Sequence, residues 1–196
     1  MLEKMELLDQ QLFLFLNQFH TPWLDTLMYL ITVKYTWFPF YLVLIVWLIW
    51  RYKWQGLVML VTMVATIGLG DLITSGLMKP YFGRLRPCHD PDIMHMVHLV
   101  KGCGGRFGFA SAHAATTFAL ATTLWCLLKH WSHRWGLAFV WAGFIAYSRV
   151  YLGVHYPADV VAGAIIGVVS GYLIVQLMLR VTKQWCGTPI STKYLE

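Results

Sequence analysis

Apolar and polar residues fall along this chain in long blocks, and the blocks define its elements. Between Leu7 and Phe19, the side chains of Leu8, Leu12, Phe13, Leu16 and Phe19 lie largely on one side of a helix, with Asp9, Gln10, Gln11, Asn17 and Gln18 elsewhere. The segment is too short and too polar to span a bilayer, so it predicts an amphipathic helix lying in the interface. Thr21-Pro22 restarts a helix, a capping hydroxyl followed by a residue suited to the first helical position. From Trp23 to Trp50 the chain is mostly apolar but is interrupted by Asp25 and Lys34. That allows one long tilted span or two pieces broken near Lys34, and the break is the favoured reading. Arg51-Tyr-Lys-Trp54 is a basic turn with interfacial aromatics. Further spans are predicted over Gly56–Lys79, Ser111–Lys129, Trp135–Val150 and Pro157–Leu179, with a basic turn at Lys129–Arg134 and a polar tail from Arg180 to Glu196. Pro80–Ala110 is a long polar loop, and loops of that length in a compact domain are usually functional.

The fold class is therefore all-α: a polytopic transmembrane helical bundle of about five to six spans plus an N-terminal amphipathic helix, one domain over residues 1–196. Composition agrees, because 58% of residues are hydrophobic and only 12% charged, about half the charged share of a soluble domain. Met1–Gln11 is mixed and acidic, without the basic region that leads a cleavable signal. A net charge of +6 without any Lys/Arg block fits membrane-facing loops and an anion site, and argues against nucleic acid as a partner. Seven basic residues fall on one side of the predicted spans and six on the other, but three of the six belong to the motifs below. Setting those aside places the first side in the cytoplasm. The long loop then faces outward, as in an inner-membrane protein with a periplasmic site.

The densest chemistry lies in Ser148–Asp159. Pro157 suits a first helical position, which puts Asp159 in a first turn and His155 just before it. Asp159 can hold one ring nitrogen of His155 and leave the other basic and aimed, an arrangement suited to nucleophilic catalysis by the imidazole. Arg149 adds a planar cationic fork for phosphate oxygens. Alone, these residues read equally as a His–Asp pair capping a helix beside a snorkelling Arg. Two further clusters sit at the same outer ends of the spans. Lys79, Arg86 and Pro87 leave one span, and Ser111 and His113 open the next. Ser111 is a natural N-cap, so the N–H groups of residues 112–114 would form an anion cradle at a positive helix end. Two histidines, three cations and a helix N-terminus describe phosphoryl transfer: one His attacks phosphorus, the other protonates the leaving oxygen, and the cations neutralise the equatorial oxygens. Asp71, an ionisable group at membrane depth two helical turns before Lys79, reads either as support for Lys79 or as a buried carboxyl bonded to a neighbouring helix.

On these residues the chain resembles the type 2 phosphatidic acid phosphatase family of membrane lipid phosphatases, whose site is similar to that of vanadium haloperoxidases. The family pattern is K-x6-RP, PSGH and SR-x5-H-x3-D. Lys79 with Arg86-Pro87 matches the first element; Ser148-Arg149, His155 and Asp159 match the third. In the second, Ala110 replaces Pro and Ala112 replaces Gly, while Ser111 and His113 remain. The resemblance covers roughly residues 79–159. It implies His155 as a nucleophile forming a phosphohistidine, Asp159 as its orienter and His113 as general acid and then base. It also implies phosphate binding by Lys79, Arg86, Ser111, the Ala112 N–H and Arg149, with no metal and no cofactor. The implied substrate is a lipid phosphate or diphosphate in the bilayer, with undecaprenyl diphosphate the first choice and phosphatidylglycerophosphate or lipid A phosphates the alternatives.

Other readings compete. His89, Asp90, Asp92, His95, His98 and Cys103 are metal-ligand types in the outer loop, although no paired ligand spacing appears. Cys88 and Cys103 are the loop's two cysteines, and a disulfide between them would contribute about 3 kcal/mol. Cys126 and Cys186 read as free thiols. A transporter would use Asp71 along a path, and a non-catalytic lipid-binding protein would not need His113 and His155.

Overall fold

The computed structural model describes residues 2–186, with side chains described for 4–183. The Cys186 thiol and the tail beyond it, including Lys193, lie outside the described residues. Every regular element among them is helical: α1 Leu2–Asn17, α2 Pro22–Thr32, α3 Phe38–Tyr52, α4 Trp54–Asp71, α5 Lys79–Phe82, α6 Ala112–Leu128, α7 Leu137–Tyr151 and α8 Pro157–Cys186. A π-helical stretch, Leu72–Met78, joins α4 to α5, so the chain is helical without a break from Trp54 to Phe82. The final helix extends seven residues past the Leu179 expected from the sequence.

The break near Lys34 is present. Helix α2 stops at Thr32, a 3-10 turn covers Lys34–Trp37, and the two halves bend by 65°. Two helices, Trp54–Phe82 and Pro157–Lys183, are long and apolar enough to cross a membrane, or three if the bent pair is one span. The count of five to six thus is not reached on length alone. Helix α6 is apolar but has 17 residues, about 25 Å at 1.5 Å each, and α7 has 15. Both fall short of the ~20 residues that a ~30 Å hydrocarbon layer needs.

Helix α6 is the central post. Ala114, Ala115, Ala119, Ala121, Leu124 and Leu128 are buried on it. Helix α8 lies along it, and small residues allow the approach. A Cβ added at Gly163 would sit 2.3 Å from the Ser111 carbonyl oxygen, one at Gly167 2.3 Å from that of Ala115, and one at Gly171 2.8 Å from that of Ala119. Lipid tails are as apolar as Leu, so close van der Waals contact, rather than removal of apolar surface from water, holds such a pair together. Leu44, Leu48, Tyr52, Met59, Met63, Leu120, Leu124, Leu127, Leu128 and Val175 form the largest apolar cluster among the described residues. Side chains such as Val43, Val46, Val64, Ile165 and Leu177 point outward, as a lipid-facing surface requires.

Helix α1 is present, and part of its polar face meets the protein. Asn17 is 2% exposed and donates to the Tyr151 and His98 carbonyls at 2.8 and 3.1 Å. Of the apolar residues expected on one face, Phe13 is buried, whereas Leu8, Leu12 and Phe19 are exposed together with Phe15. The reason is that the loop and α7 present unpaired backbone carbonyls to α1, and the Asn17 amide satisfies them. Nearby, Asp25 accepts from the Tyr151 hydroxyl at 2.7 Å and contacts His98 Nε2 at 3.0 Å, so α1, α2, α7 and the loop meet in one polar knot.

Candidate active site

Three elements deliver the expected residues to one place. Ser111 caps α6 as its sequence suggested, its Oγ accepting from the Ala114 N–H at 3.5 Å. That uses one of the three N–H groups expected to face an anion and leaves those of Ala112 and His113. The Ser111 N–H in turn donates to the Asp159 carbonyl at 2.9 Å, which ties the start of α6 to the start of α8. Pro157 opens α8, Asp159 stands in its first turn, and His155 precedes it in the α7–α8 connection.

His155 is 2% exposed and Asp159 fully buried, with Nδ1 3.3 Å from Oδ2. The same Oδ2 accepts the Tyr156 N–H at 3.0 Å. Nδ1 is therefore the ring nitrogen facing the carboxylate, and Nε2 is the one left for chemistry. Burial pushes the His155 imidazole down to about 4, against the pull of Asp159 and with help from Arg86 and Arg149. The ring is neutral at physiological pH.

The three cations are held by different means. Lys79 Nζ donates to Ser75 Oγ at 3.2 Å, and Ser75 donates to Asp71 Oδ1 at 2.9 Å. Asp71 thus reaches Lys79 through a hydroxyl on its own helix; it is exposed, and among the described residues it bonds no neighbouring helix. Arg86 is braced by two carbonyls, Nε to Phe107 at 3.2 Å and Nη1 to Cys103 at 2.8 Å. Arg149 Nη1 donates to Thr32 Oγ1 at 3.0 Å, while its buried Nε has no partner among the described residues. His113 stands in the electrostatic field of Arg149, His155, Lys79 and Arg86 together. His113, Ala112 and Asp71 also line a cavity of about 640 Å³, whose other walls include Tyr41, Leu44, Ile45, Met63, Val64, Ile67 and Trp141. A charged cluster therefore abuts an apolar chamber.

In the loop, Cys88 and Cys103 form a disulfide with Cα atoms 6.0 Å apart, which takes Cys103 out of any ligand set. His98 is held by Asp25, and Asp90 accepts from the Tyr156 hydroxyl at 2.6 Å. Among the described residues no three His, Cys, Asp or Glu side chains converge as metal ligands would, so the loop residues do not form the metal site weighed from the sequence. Cys126 is a half-buried free thiol on α6.

The sequence reading passed over Arg84, Asp9 and Thr32, all of which touch the residues above. Arg84 Nη1 donates to Asp159 Oδ1 at 2.9 Å and Nη2 to Asp9 Oδ2 at 2.7 Å. A signal for Arg84 was available in its position two residues before Arg86 in the same polar stretch. The glycines of α8 carried one too, since Gly163, Gly167 and Gly171 recur every fourth residue, the spacing of closely packed membrane helices.

Comparison with known proteins agrees with this geometry. The model of the PAP2 superfamily matches residues 56–183. A lipid A 4'-phosphatase of Bacteroides thetaiotaomicron is 38% identical over 98% of this chain and 87% of its own length. An undecaprenyl-diphosphatase of Sulfolobus acidocaldarius is 29% identical over 74% of this chain and 64% of its own. The solved structure of a transmembrane PAP2 type phosphatidylglycerolphosphate phosphatase from Bacillus subtilis superposes with a TM-score of 0.68 at 25% identity, covering 91% of this chain and 88% of that one. Undecaprenyl diphosphate, the first choice from the sequence, is therefore not the best-supported substrate, since the lipid A 4'-phosphatase is the more similar of these two relatives.

Proposed function

Because this chain belongs to the PAP2 superfamily, whose members are phosphatases acting on lipid phosphates, we propose that it removes a phosphate monoester from lipid A by way of a phosphohistidine on His155. In this reading Nε2 of His155 attacks phosphorus while Asp159 holds the Nδ1–H. His113 donates a proton to the leaving oxygen of the sugar, and then takes one from the water that cleaves the phosphorus–nitrogen bond. Lys79, Arg86, the free Nε of Arg149 and the Ala112 and His113 N–H groups receive the phosphate oxygens. The positive charge comes from side chains, so the mechanism asks for no metal. The observation that carries the proposal is that His113 belongs both to the cationic cluster and to the wall of the apolar cavity. A phosphate at the cations would place its acyl-bearing part against that wall.

The membrane arrangement follows from the same site. Two or three helices cross on length alone, and α6 and α7 bring the crossings to four or five if the bilayer thins around them. The Lys79–Ser111 loop would then face the periplasm. Cysteines placed in that loop should label in intact cells with a membrane-impermeant thiol reagent; labelling only after lysis would reverse the orientation. The function itself is tested by phosphate release from purified protein in detergent, with lipid A, undecaprenyl diphosphate and phosphatidylglycerophosphate offered at equal concentration. Lipid A should have the highest kcat/KM, and the His155→Ala protein should release nothing from any of the three. A clear preference for the diphosphate would overturn the substrate, and turnover by His155→Ala the mechanism.

A further inference from the structure

Arg84 and α1 lie outside the phosphate-binding groups just named, yet they converge on the buried carboxylate behind His155. Asp159 is held at both oxygens: Oδ2 by the Tyr156 N–H and His155 Nδ1, and Oδ1 by Arg84 at 2.9 Å. Arg84 is itself held, with its other Nη donating to Asp9 at 2.7 Å and its guanidinium 4.1 Å over the Tyr156 ring. Asp9 Oδ1 accepts the Ala158 N–H at 2.9 Å, one of the N–H groups that the first turn of α8 leaves without a helical partner. Both Nη groups of Arg84 are thus engaged by carboxylates. Burial works against the charge on Arg84, but Asp159 and Asp9 raise its pKa above the ordinary value.

We propose that Arg84 and Asp9 are positioning residues: they fix the Asp159 carboxylate, and through it the ring plane of His155, from the polar face of α1. The proposal rests on the reading of His155 as the nucleophile. Its physical content is twofold. A buried carboxylate with only His155 and one backbone N–H to hold it could turn about its Cβ–Cγ bond, and Arg84 removes that freedom. A buried carboxylate also needs a counter-charge, and Arg84 is the cation that meets Asp159 directly. The outward face of α1, with Leu8, Leu12 and Phe15 exposed, is of the kind that seats in a lipid interface, so the same helix that rests on the membrane braces the nucleophile.

The test uses the full-length protein in detergent with p-nitrophenyl phosphate, and His155→Ala as the reference. Arg84→Gln should lower kcat on the order of a hundredfold, the cost of a misplacement of about 1 Å, with KM within about threefold of the unaltered protein. Removing that positive charge strengthens the field of Asp159 on His155, so the acid limb of the kcat/KM profile should move to higher pH. The other groups facing His155 are unchanged in the comparison: Arg86 from the loop, Arg149 from α7 and His113 from α6. Arg84→Lys should recover part of kcat. Asp9→Asn should lower kcat alone but add little in the Arg84→Gln background, because it acts through Arg84. If Arg84→Gln does not fold, Arg84→Lys and Asp9→Asn carry the test through the same kcat loss at unchanged KM. Wild-type kcat in these variants beside an inactive His155→Ala overturns the proposal and leaves the function standing. A rise in KM at constant kcat overturns it by making Arg84 a phosphate ligand. Turnover by His155→Ala overturns both.

Discussion

Replacing Gly163 by Ala should separate catalysis from stability in this protein. The added Cβ would lie 2.3 Å from the Ser111 carbonyl oxygen and 3.1 Å from the Ala114 Cβ. Real Cβ contacts essentially never fall below 3.0 Å, so α6 and α8 must part by about 0.7 Å at this level. The displaced residue is the cap of α6, whose N–H donates to the Asp159 carbonyl. The movement therefore acts directly on the distance between His113 with its helix N-terminus and His155. A misplacement of about 1 Å costs on the order of a hundredfold in rate, so 0.7 Å should cost roughly ten- to a hundredfold in kcat. Overpacking of this size should also destabilise by about 1–3 kcal/mol. Gly167→Ala meets an equal clash, 2.3 Å from the Ala115 carbonyl oxygen, but one turn deeper. It should match the first variant in thermal stability and lose less kcat. Gly143→Ala on α7, where nothing lies within 4 Å, should match the unaltered protein in both. The assay is p-nitrophenyl phosphate turnover together with thermal unfolding in detergent. A folded Gly163→Ala protein with kcat within twofold of the original refutes the reasoning, as does an equal kcat loss in Gly167→Ala.

Three further outcomes are expected. His113→Ala should reduce hydrolysis of a lipid phosphate far more than that of p-nitrophenyl phosphate, because nitrophenolate leaves without a proton; equal losses would remove His113 from the acid role. Burial lowers the His155 pKa from 6.5 to about 4, so its contribution to stability is fully present above pH 6.5 and is lost as pH falls toward 4. Unfolding in detergent at pH 7 and pH 4.5 should show a loss of up to about 3 kcal/mol that His155→Asn lacks, and a parallel decline in both proteins would count against it. Asp71→Asn and Ser75→Ala should each raise KM for phosphate esters severalfold by loosening Lys79, and a combined effect equal to either alone would show that they act in series.

What the sequence disclosed here was mostly chemistry carried on helix ends. Asp159 and His155 follow from Pro157, and Ser111 announces its own helix, because capping depends on a few neighbouring residues. The break at Lys34 was legible for the same reason. Span number does not follow from apolar runs alone, because α6 and α7 are apolar but only 17 and 15 residues long. Which face of α1 meets the protein was not legible, because amphipathic patterns say which faces differ, not which one packs inward. Only the position of the Tyr151 and His98 carbonyls decides that Asn17 turns inward. Arg84 was hidden by Arg86, two equivalent cations in one stretch whose partners are 75 and 17 residues away.

The Cys88–Cys103 bond reaches further than the loop it closes. Cys103 supplies one of the two carbonyls that brace Arg86, so this crosslink is part of how that guanidinium is aimed at the proposed phosphate site. Protein made where thiols stay reduced would carry the same sequence and the same helices but a looser Arg86. The history of a preparation then enters its kinetics. Material matured in an oxidising compartment and material synthesised in a reducing extract should differ in apparent phosphate affinity, and mild oxidation of the second should bring it to the first.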